Sequence, residues 1–188
     1  MDDILVGADG RARCWWCGDD PIYVAYHDND WGAPIHDERE LLELLCLEGF
    51  QAGLSWITIL RKRPAFQAAF EGFDPEVVAG YGDREIDRLL GDAGIVRHRG
   101  KIEATIANAR AVLELDESLD EVVWSYASAG PRPRTRTDIP GFTPAATALS
   151  KDLKRRGFRF VGPTTVYAFM QSAGIVDDHL AACWRSTT

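Results

Sequence analysis

Arg155-Arg156-Gly157-Phe158-Arg159-Phe160-Val161-Gly162-Pro163-Thr164-Thr165-Val166 reads as the end of one helix, a hairpin, and the start of a second helix. Gly162 permits a tight turn. Pro163 has its φ already set for the first helical position, where a missing N–H costs nothing. The free backbone N–H groups that follow form a phosphate-sized anion site at a helix N-terminus. Such a hairpin grips one nucleic-acid strand by its backbone without reading bases. The bare pattern is moderately specific, because any corner between two helices favours glycine and proline. Lys154, Arg155, Arg156 and Arg159 beside it turn the reading toward a nucleic-acid phosphate.

Outward from this stretch the periodicity is helical almost throughout, with apolar residues at three and four spacing and Asp, Ser or Thr ahead of the runs. Asp37-x-x-Glu40 has the outline of a capping box and opens Leu41 to Leu47. Ser55 is placed to cap Trp56 to Leu60 before Pro64 disturbs the pattern. Further helices are predicted over 83–90, 99–115, 119–128 and 142–156. Residues 130–141 are rich in proline and read as an exposed loop rather than a domain linker, since helices continue on both sides. No long alternating strand and no internal repeat is found. The fold class is all-α, and 188 residues suffice for one substantial core or two tightly joined lobes.

Composition places the chain among ordinary globular proteins, with 46% hydrophobic and 27% charged residues. The apolar runs are interrupted by Glu43, Glu48 or glycine, and Met1-Asp2-Asp3 lacks the basic start of a signal peptide, so a cytoplasmic protein with no membrane partner is expected. A net charge of −8 argues against a polyanionic partner only on average. Residues 1–96 hold 8 basic and 19 acidic side chains (−11), and residues 97–188 hold 13 and 10 (+3). Basic runs recur at 61–63, 97–101, 132–136 and 151–159. Each alone is commonly solvated surface, and together they favour a nucleic-acid partner.

Soft-metal ligands cluster at both ends of the chain. Cys14-Trp15-Trp16-Cys17 and His27 lie near the start, and His179-x-x-x-Cys183 near the finish. Thiolate and neutral imidazole are the ligands Zn²⁺ prefers, and four of them close a structural site that would tie the termini together. The i, i+4 spacing of His179 and Cys183 puts both on one helical face, so that two ligands converge without bending the backbone. Cys14 and Cys17 are compatible with three roles: both remaining ligands, a redox pair, or one ligand with His27 completing the set. Cys46 sits in an apolar run, and nothing suggests a disulfide framework. Trp15, Trp16, Tyr23, Tyr26 and Trp31 bring more aromatic surface than a small loop needs for packing.

Asp20-Pro21-Ile22-Tyr23-Val24-Ala25-Tyr26-His27-Asp28-Asn29-Asp30-Trp31-Gly32, Cys46-Leu47-Glu48-Gly49, Gln51-Ala52-Gly53-Leu54-Ser55-Trp56-Ile57-Thr58, Asp92-Ala93-Gly94-Ile95, Arg97-His98-Arg99-Gly100-Lys101-Ile102 and Phe160-Val161-Gly162 follow one another in order. Together they resemble the constitutive 3-methyladenine DNA glycosylase I family of the helix-hairpin-helix glycosylase superfamily, nearly end to end. The resemblance implies a single unit over 1–188 of two interleaved helical lobes, with residues 1–12 a flexible N-terminal extension and a base pocket where the lobes meet. It also implies a structural Zn²⁺ held by Cys14, His27, His179 and Cys183, with Cys17 a spare thiol. The expected partner is duplex DNA containing alkylated adenine, bound by a monomer. Expected DNA contacts are Gln51, Gly53 and Leu54, the last as a wedge, with Gly162, Thr164 and Thr165 at the hairpin.

Glu48 carries the chemistry. A carboxylate pairs with a cationic base, and ring faces attract positive charge, each contact giving about 0.5–2 kcal/mol when desolvated. Trp16, Tyr23, Tyr26 and Trp56 are the candidate rings, and several are needed because extruding a base costs a few kcal/mol. N3-alkylation already makes adenine a good leaving group, so positioning and electrostatic stabilisation suffice for hydrolysis of the N-glycosidic bond. Asp177, in Val176-Asp177-Asp178-His179-Leu180, stands where wider relatives resemble one another in carrying a catalytic aspartate and the constitutive enzymes carry asparagine. A helix-capping role is the favoured reading for it. Lyase-competent relatives place a nucleophilic lysine where this chain has Thr164, which implies a monofunctional glycosylase. The competing readings are a zinc-stapled module that binds DNA or a planar ligand without catalysis, and a glycosylase for other alkylated purines.

Overall fold

The computed structural model describes residues 3–185. Nine α-helices and one two-stranded hairpin make up the regular structure among them, apart from three short 3₁₀ turns. Strands β1 (Ile4–Val6) and β2 (Ala12–Cys14) pair antiparallel with Ile4 opposite Cys14. Of the segment expected to form an N-terminal extension, residues 1–2 lie outside the described residues. The rest contributes β1 and the turn into β2. The helices are α1 (Pro21–Asn29), α2 (Glu38–Gln51), α3 (Trp56–Ala69), α4 (Pro75–Val78), α5 (Asp83–Gly91), α6 (Arg99–Leu113), α7 (Leu119–Trp124), α8 (Pro144–Arg155) and α9 (Pro163–Ser172). None is long and apolar enough to cross a membrane.

α2 is the axis of the molecule. Ten consecutive residues, Leu41 to Phe50, are buried, and α3, α6, α7 and α9 pack around it. A helix apolar on all sides is a core helix, and two of its buried positions are nonetheless glutamates. Its start is set by Asp37, whose carboxylate accepts the N–H groups of Arg39 and Glu40 at 3.0 Å each. Phe50, Phe66, Phe70 and Phe73 cluster beside it, each burial contributing about 1.5–3 kcal/mol relative to exposure.

Several local expectations are corrected. Pro64 lies inside α3 rather than ending it, because Ile59 before it and Phe66 and Ala69 after it are buried in the core and outweigh one lost backbone bond. Ser55 sits at the N-cap, yet its hydroxyl bonds Thr58 Oγ1 (2.8 Å) rather than a backbone N–H. α1 is capped by Asp20 with Pro21 in its first turn and spans part of the aromatic stretch, a helix not among those named from the sequence. The helix, turn, helix order over 155–166 is present, but the left-handed residues are Gly157 (φ 94°) and Phe160 (φ 56°). Gly162 is an extended N-cap (φ −66°, ψ 160°) where an added Cβ would meet nothing within 4 Å.

His179 and Cys183 are not on a helix. Residues 177–183 are irregular with a turn at 181–182, and two of the donors a helix would use go to other segments instead: Leu180 N–H to Cys14 Sγ (3.4 Å) and Ala181 N–H to Pro133 O (2.8 Å). The 130–141 stretch is a loop holding only a short 3₁₀ turn at Arg136–Asp138.

Candidate active site

A cavity of about 250 Å³ opens beside the end of α2. It is at the small end for ligand sites and suits one planar base rather than an extended molecule. Trp15 and Trp16 from the turn after β2, Tyr23 and Tyr26 from α1, and Trp31 form one side. Glu48 and Gln51 from α2, Trp56 at the first turn of α3, Ile139 from the proline-rich loop, and Ala168, Gln171 and Ser172 from α9 complete it.

Glu48 is 4% exposed, and among the described residues no cation pairs with it. The Ser172 hydroxyl donates to its Oε1 at 2.9 Å. Burial disfavours the charged form and pushes the Glu48 carboxyl up to about 8, against a smaller downward pull from Ser172. Tyr26 donates to Ser172 Oγ at 3.2 Å, so the three groups form a relay from ring to hydroxyl to carboxyl. Burial first and the neighbouring Glu48 second raise the Tyr26 phenol, and burial raises Tyr23 to about 12, so both phenols stay neutral donors. The rings of Tyr23 and Tyr26 are stacked at 6.5 Å, and Trp56 tilts against Tyr26 at 5.7 Å. Trp56 Nε1 is a buried donor with no hydrogen-bond partner among the described residues, which a ligand acceptor would satisfy.

Behind the aromatic side lies a second buried group. One ligand atom each from Cys14, His27, His179 and Cys183 falls within 4.8 Å of all the others. Cys183 Sγ is 3.5 Å from His27 Nε2 and 3.6 Å from His179 Nδ1, and Cys14 Sγ is 3.9 Å from His179 Nδ1. Metal bonds of about 2.0–2.3 Å in a tetrahedron imply edges of this size. The outer ring nitrogens are already engaged, His27 Nδ1 by Asp28 Oδ1 (2.8 Å) and His179 Nε2 by Trp31 O (3.1 Å), which turns the inner ones toward the thiols, His27 Nε2 also lying 3.3 Å from the Cys14 backbone N–H. Cys183 is drawn far below the ordinary thiol range by Cys14 and the two imidazoles, while Cys14 is pushed up. The donor set therefore fits a closed Cys₂His₂ metal site. Cys17 stands outside it, its thiol donating to Cys14 O at 3.2 Å.

The two groups share a wall. His27 packs on Trp16 at 5.2 Å and His179 on Trp31 at 4.6 Å, and both indoles line the cavity. Of the other predicted residues, Gln51 lines the cavity, Gly53 (φ 86°) turns the chain, and Leu54 is 43% exposed at the corner between α2 and α3. Gly162, Thr164 and Thr165 lie at the start of α9, whose last turn supplies Gln171 and Ser172 to the cavity. Asp177 is outside the cavity. Its carboxylate accepts the His179 N–H (3.3 Å) and the Arg132 Nε–H (2.5 Å), so it organises a turn rather than capping a helix. Ser172, Gln171 and Ile139 are cavity residues that sequence reasoning missed. Ser172 lies 124 positions from Glu48, and no local pattern signals that pairing.

The sequence matches the methyladenine glycosylase family model over residues 16–186. DNA-3-methyladenine glycosylase 1 of Escherichia coli (strain K12) is 50% identical over 177 residues, covering 91% of this chain and 95% of that protein. A crystal structure of 3-methyladenine DNA glycosylase I superposes with a TM-score of 0.88 at 50% identity, covering 92% of this chain and 98% of that one. A single-substitution variant of 3-methyladenine DNA glycosylase I, solved in complex with 3-methyladenine, gives 0.87 at 41% identity, covering 92% and 96%. A buried carboxyl among stacked rings, on a fold and sequence this close to theirs, leaves one conclusion: the chain belongs to the methyladenine glycosylase family.

Proposed function

We infer that this protein is a DNA repair enzyme that hydrolyses the N-glycosidic bond of 3-methyladenine flipped out of duplex DNA. The observation that carries this reading is Glu48, a carboxyl buried among aromatic rings with no cation beside it among the described residues. A cationic base supplies that missing charge. On its arrival Glu48 ionises and accepts a charge-assisted hydrogen bond, while Trp56 and Tyr26 stack on the ring. Leu54 occupies the gap the base leaves, and the N–H groups at Gly162, Thr164 and Thr165 take a backbone phosphate of one strand, an approach the empty space at Gly162 supports. The bond from C1′ to the base breaks with its electron pair leaving on the base, which departs neutral, and water adds to C1′ and loses a proton to solvent to give an abasic site. Positioning and electrostatics suffice because the leaving group already bears positive charge. Thr164 offers no amine after the hairpin, which supports a monofunctional enzyme.

Zn²⁺ is the metal that Cys14, His27, His179 and Cys183 would hold, and the chemistry it supplies there is structural closure. The ring packing of His27 on Trp16 and His179 on Trp31 supports a role in keeping the aromatic wall in place. The four buried thiols support a reducing, cytoplasmic setting.

Incubation with methylated duplex DNA tests the reading. Free 3-methyladenine, identified by mass, is expected in the supernatant, with no borohydride-trapped protein–DNA adduct. Retardation of DNA without a released base overturns it. For the metal, elemental analysis should find one zinc per chain, and chelation under denaturing conditions should lower the melting temperature and shift tryptophan emission. A protein that refolds metal-free with unchanged emission refutes that part.

A further inference from the structure

α6 touches both loops that the proposed function sends to DNA. Lys101, 7% exposed, donates from Nζ to Phe50 O and Ala52 O at 2.8 Å each. These carbonyls lie at the end of α2, where a helix has no internal donors left. Among the described residues no carboxylate pairs with this ammonium, and both of these hydrogen bonds go to backbone carbonyls. Directly after Ala52 the chain turns at Gly53 and presents Leu54. Seven residues along α6, on the same face, Asn108 is 2% exposed. Its Nδ2 donates to Arg159 O (3.2 Å) and its Oδ1 accepts the Arg159 N–H (2.7 Å). Arg159 lies in the turn between α8 and α9. Each side chain thus holds two backbone groups of one loop, and two helical turns separate them by about 10.5 Å. Between them the Thr105 hydroxyl bonds Lys101 O (3.1 Å), and the His98 ring at the start of α6 meets Phe160 of the same turn at 6.3 Å.

We propose that Lys101 and Asn108 are positioning residues that make α6 a ruler, fixing the distance between the 51–55 corner and the 157–162 turn so that both engage one duplex at once. The proposal rests on the glycosylase reading. Neither residue borders the base cavity, so the ruler governs productive docking of duplex DNA and leaves recognition of the free base alone. Two contacts made by one rigid body reinforce each other only while their spacing is held. Once one end is released, releasing the other costs little more.

Lys101→Met, Asn108→Leu and the double variant test this, with Lys101→Gln, which retains a donor, as a milder replacement should the methionine variant not fold. Three quantities are measured below every melting temperature: affinity for free 3-methyladenine, retardation of undamaged duplex, and single-turnover excision. Each single variant should lose roughly 10- to 100-fold in excision with free-base affinity unchanged, and the double variant should lose no more than the worse single. Lys101→Gln should fall between wild type and Lys101→Met. Free-base affinity that drops in step with excision overturns the ruler, and so do losses that multiply in the double variant. Absence of base release by the wild-type protein strikes the glycosylase reading instead, and the same coupling in duplex retardation then still decides for or against the ruler.

Discussion

Glu43 and Glu48 lie five residues apart on one helix, and each is 4% exposed. Glu43 is matched from within. Arg63 Nε reaches it at 2.6 Å and Gln67 Nε2 donates to both oxygens at 3.0 and 3.1 Å, all from α3. Burial works to lower the Arg63 guanidinium, and Glu43 outweighs it. Glu48 has one neutral hydroxyl and an open cavity. The difference separates two uses of the same residue. A buried carboxylate with its cation beside it joins two helices, and one left without is a place for a cation to arrive.

Glu48→Gln gives the largest expected effect. Free-base affinity should fall roughly 10- to 100-fold, the worth of a hydrogen bond to a charged group at about 1.5–3 kcal/mol, while the melting temperature holds or rises. Calorimetric titration showing unchanged affinity would break the comparison at once. Glu43→Gln should do the reverse, costing about 1–3 kcal/mol in chemical denaturation with base affinity intact. The figure lies below the usual cost of breaking a buried pair because the Arg63 side chain is 26% exposed. Equal losses of binding in both variants would erase the distinction.

Dependence on pH sharpens it further. The folded state raises Glu48 from an ordinary 4.5 to about 8, so over that window the folded protein keeps a proton that the unfolded chain releases. Stability from this group is therefore lost as pH rises from about 4.5 to about 8, and the loss levels off above that. Glu48→Gln has no such slope, and its melting temperature relative to wild type should climb between pH 5 and 8. A constant difference would show that the carboxyl titrates normally. The smallest effect belongs to Ser172→Ala. Loss of the hydroxyl removes the bond that lowers the Glu48 carboxyl and should weaken base binding about 2- to 10-fold, equivalent to roughly 0.5–1.5 kcal/mol. No change would mean that the relay from Tyr26 through Ser172 does not reach the ligand.

Much of this was legible in the chain. The Asp37 cap, the helices at 83–91 and 99–113 and the order helix, turn, helix around Gly157 to Pro163 follow from residue types within a few positions of each other. So do the aromatic density of 15–31 and the presence of soft ligands at both ends. The β1–β2 hairpin was not legible, since its strands are three residues each, too short for an alternating pattern. Pro64 misled because propensity favours a break there, and burial of Phe66 and Ala69 beyond it prevails. The helical face assigned to His179 and Cys183 misled because spacing alone cannot show where backbone donors go.

By itself the sequence determined the helical class, the family, and which side chains are candidates for metal-binding and cation-binding chemistry, because these depend on residue type, short-range periodicity and ordered motifs. Residue spacing left the roles of Cys14 and Cys17 open and the resemblance implied a set without Cys17; the tertiary structure brings Cys14 and His27 to His179 and Cys183 with Cys17 outside, and it alone decided that Ser172 rather than an arginine faces Glu48. The physical reason is that the charge state of a buried group depends on desolvation and on the partners within a few ångströms. Chain segments more than a hundred residues apart supply those partners, and packing alone brings them together.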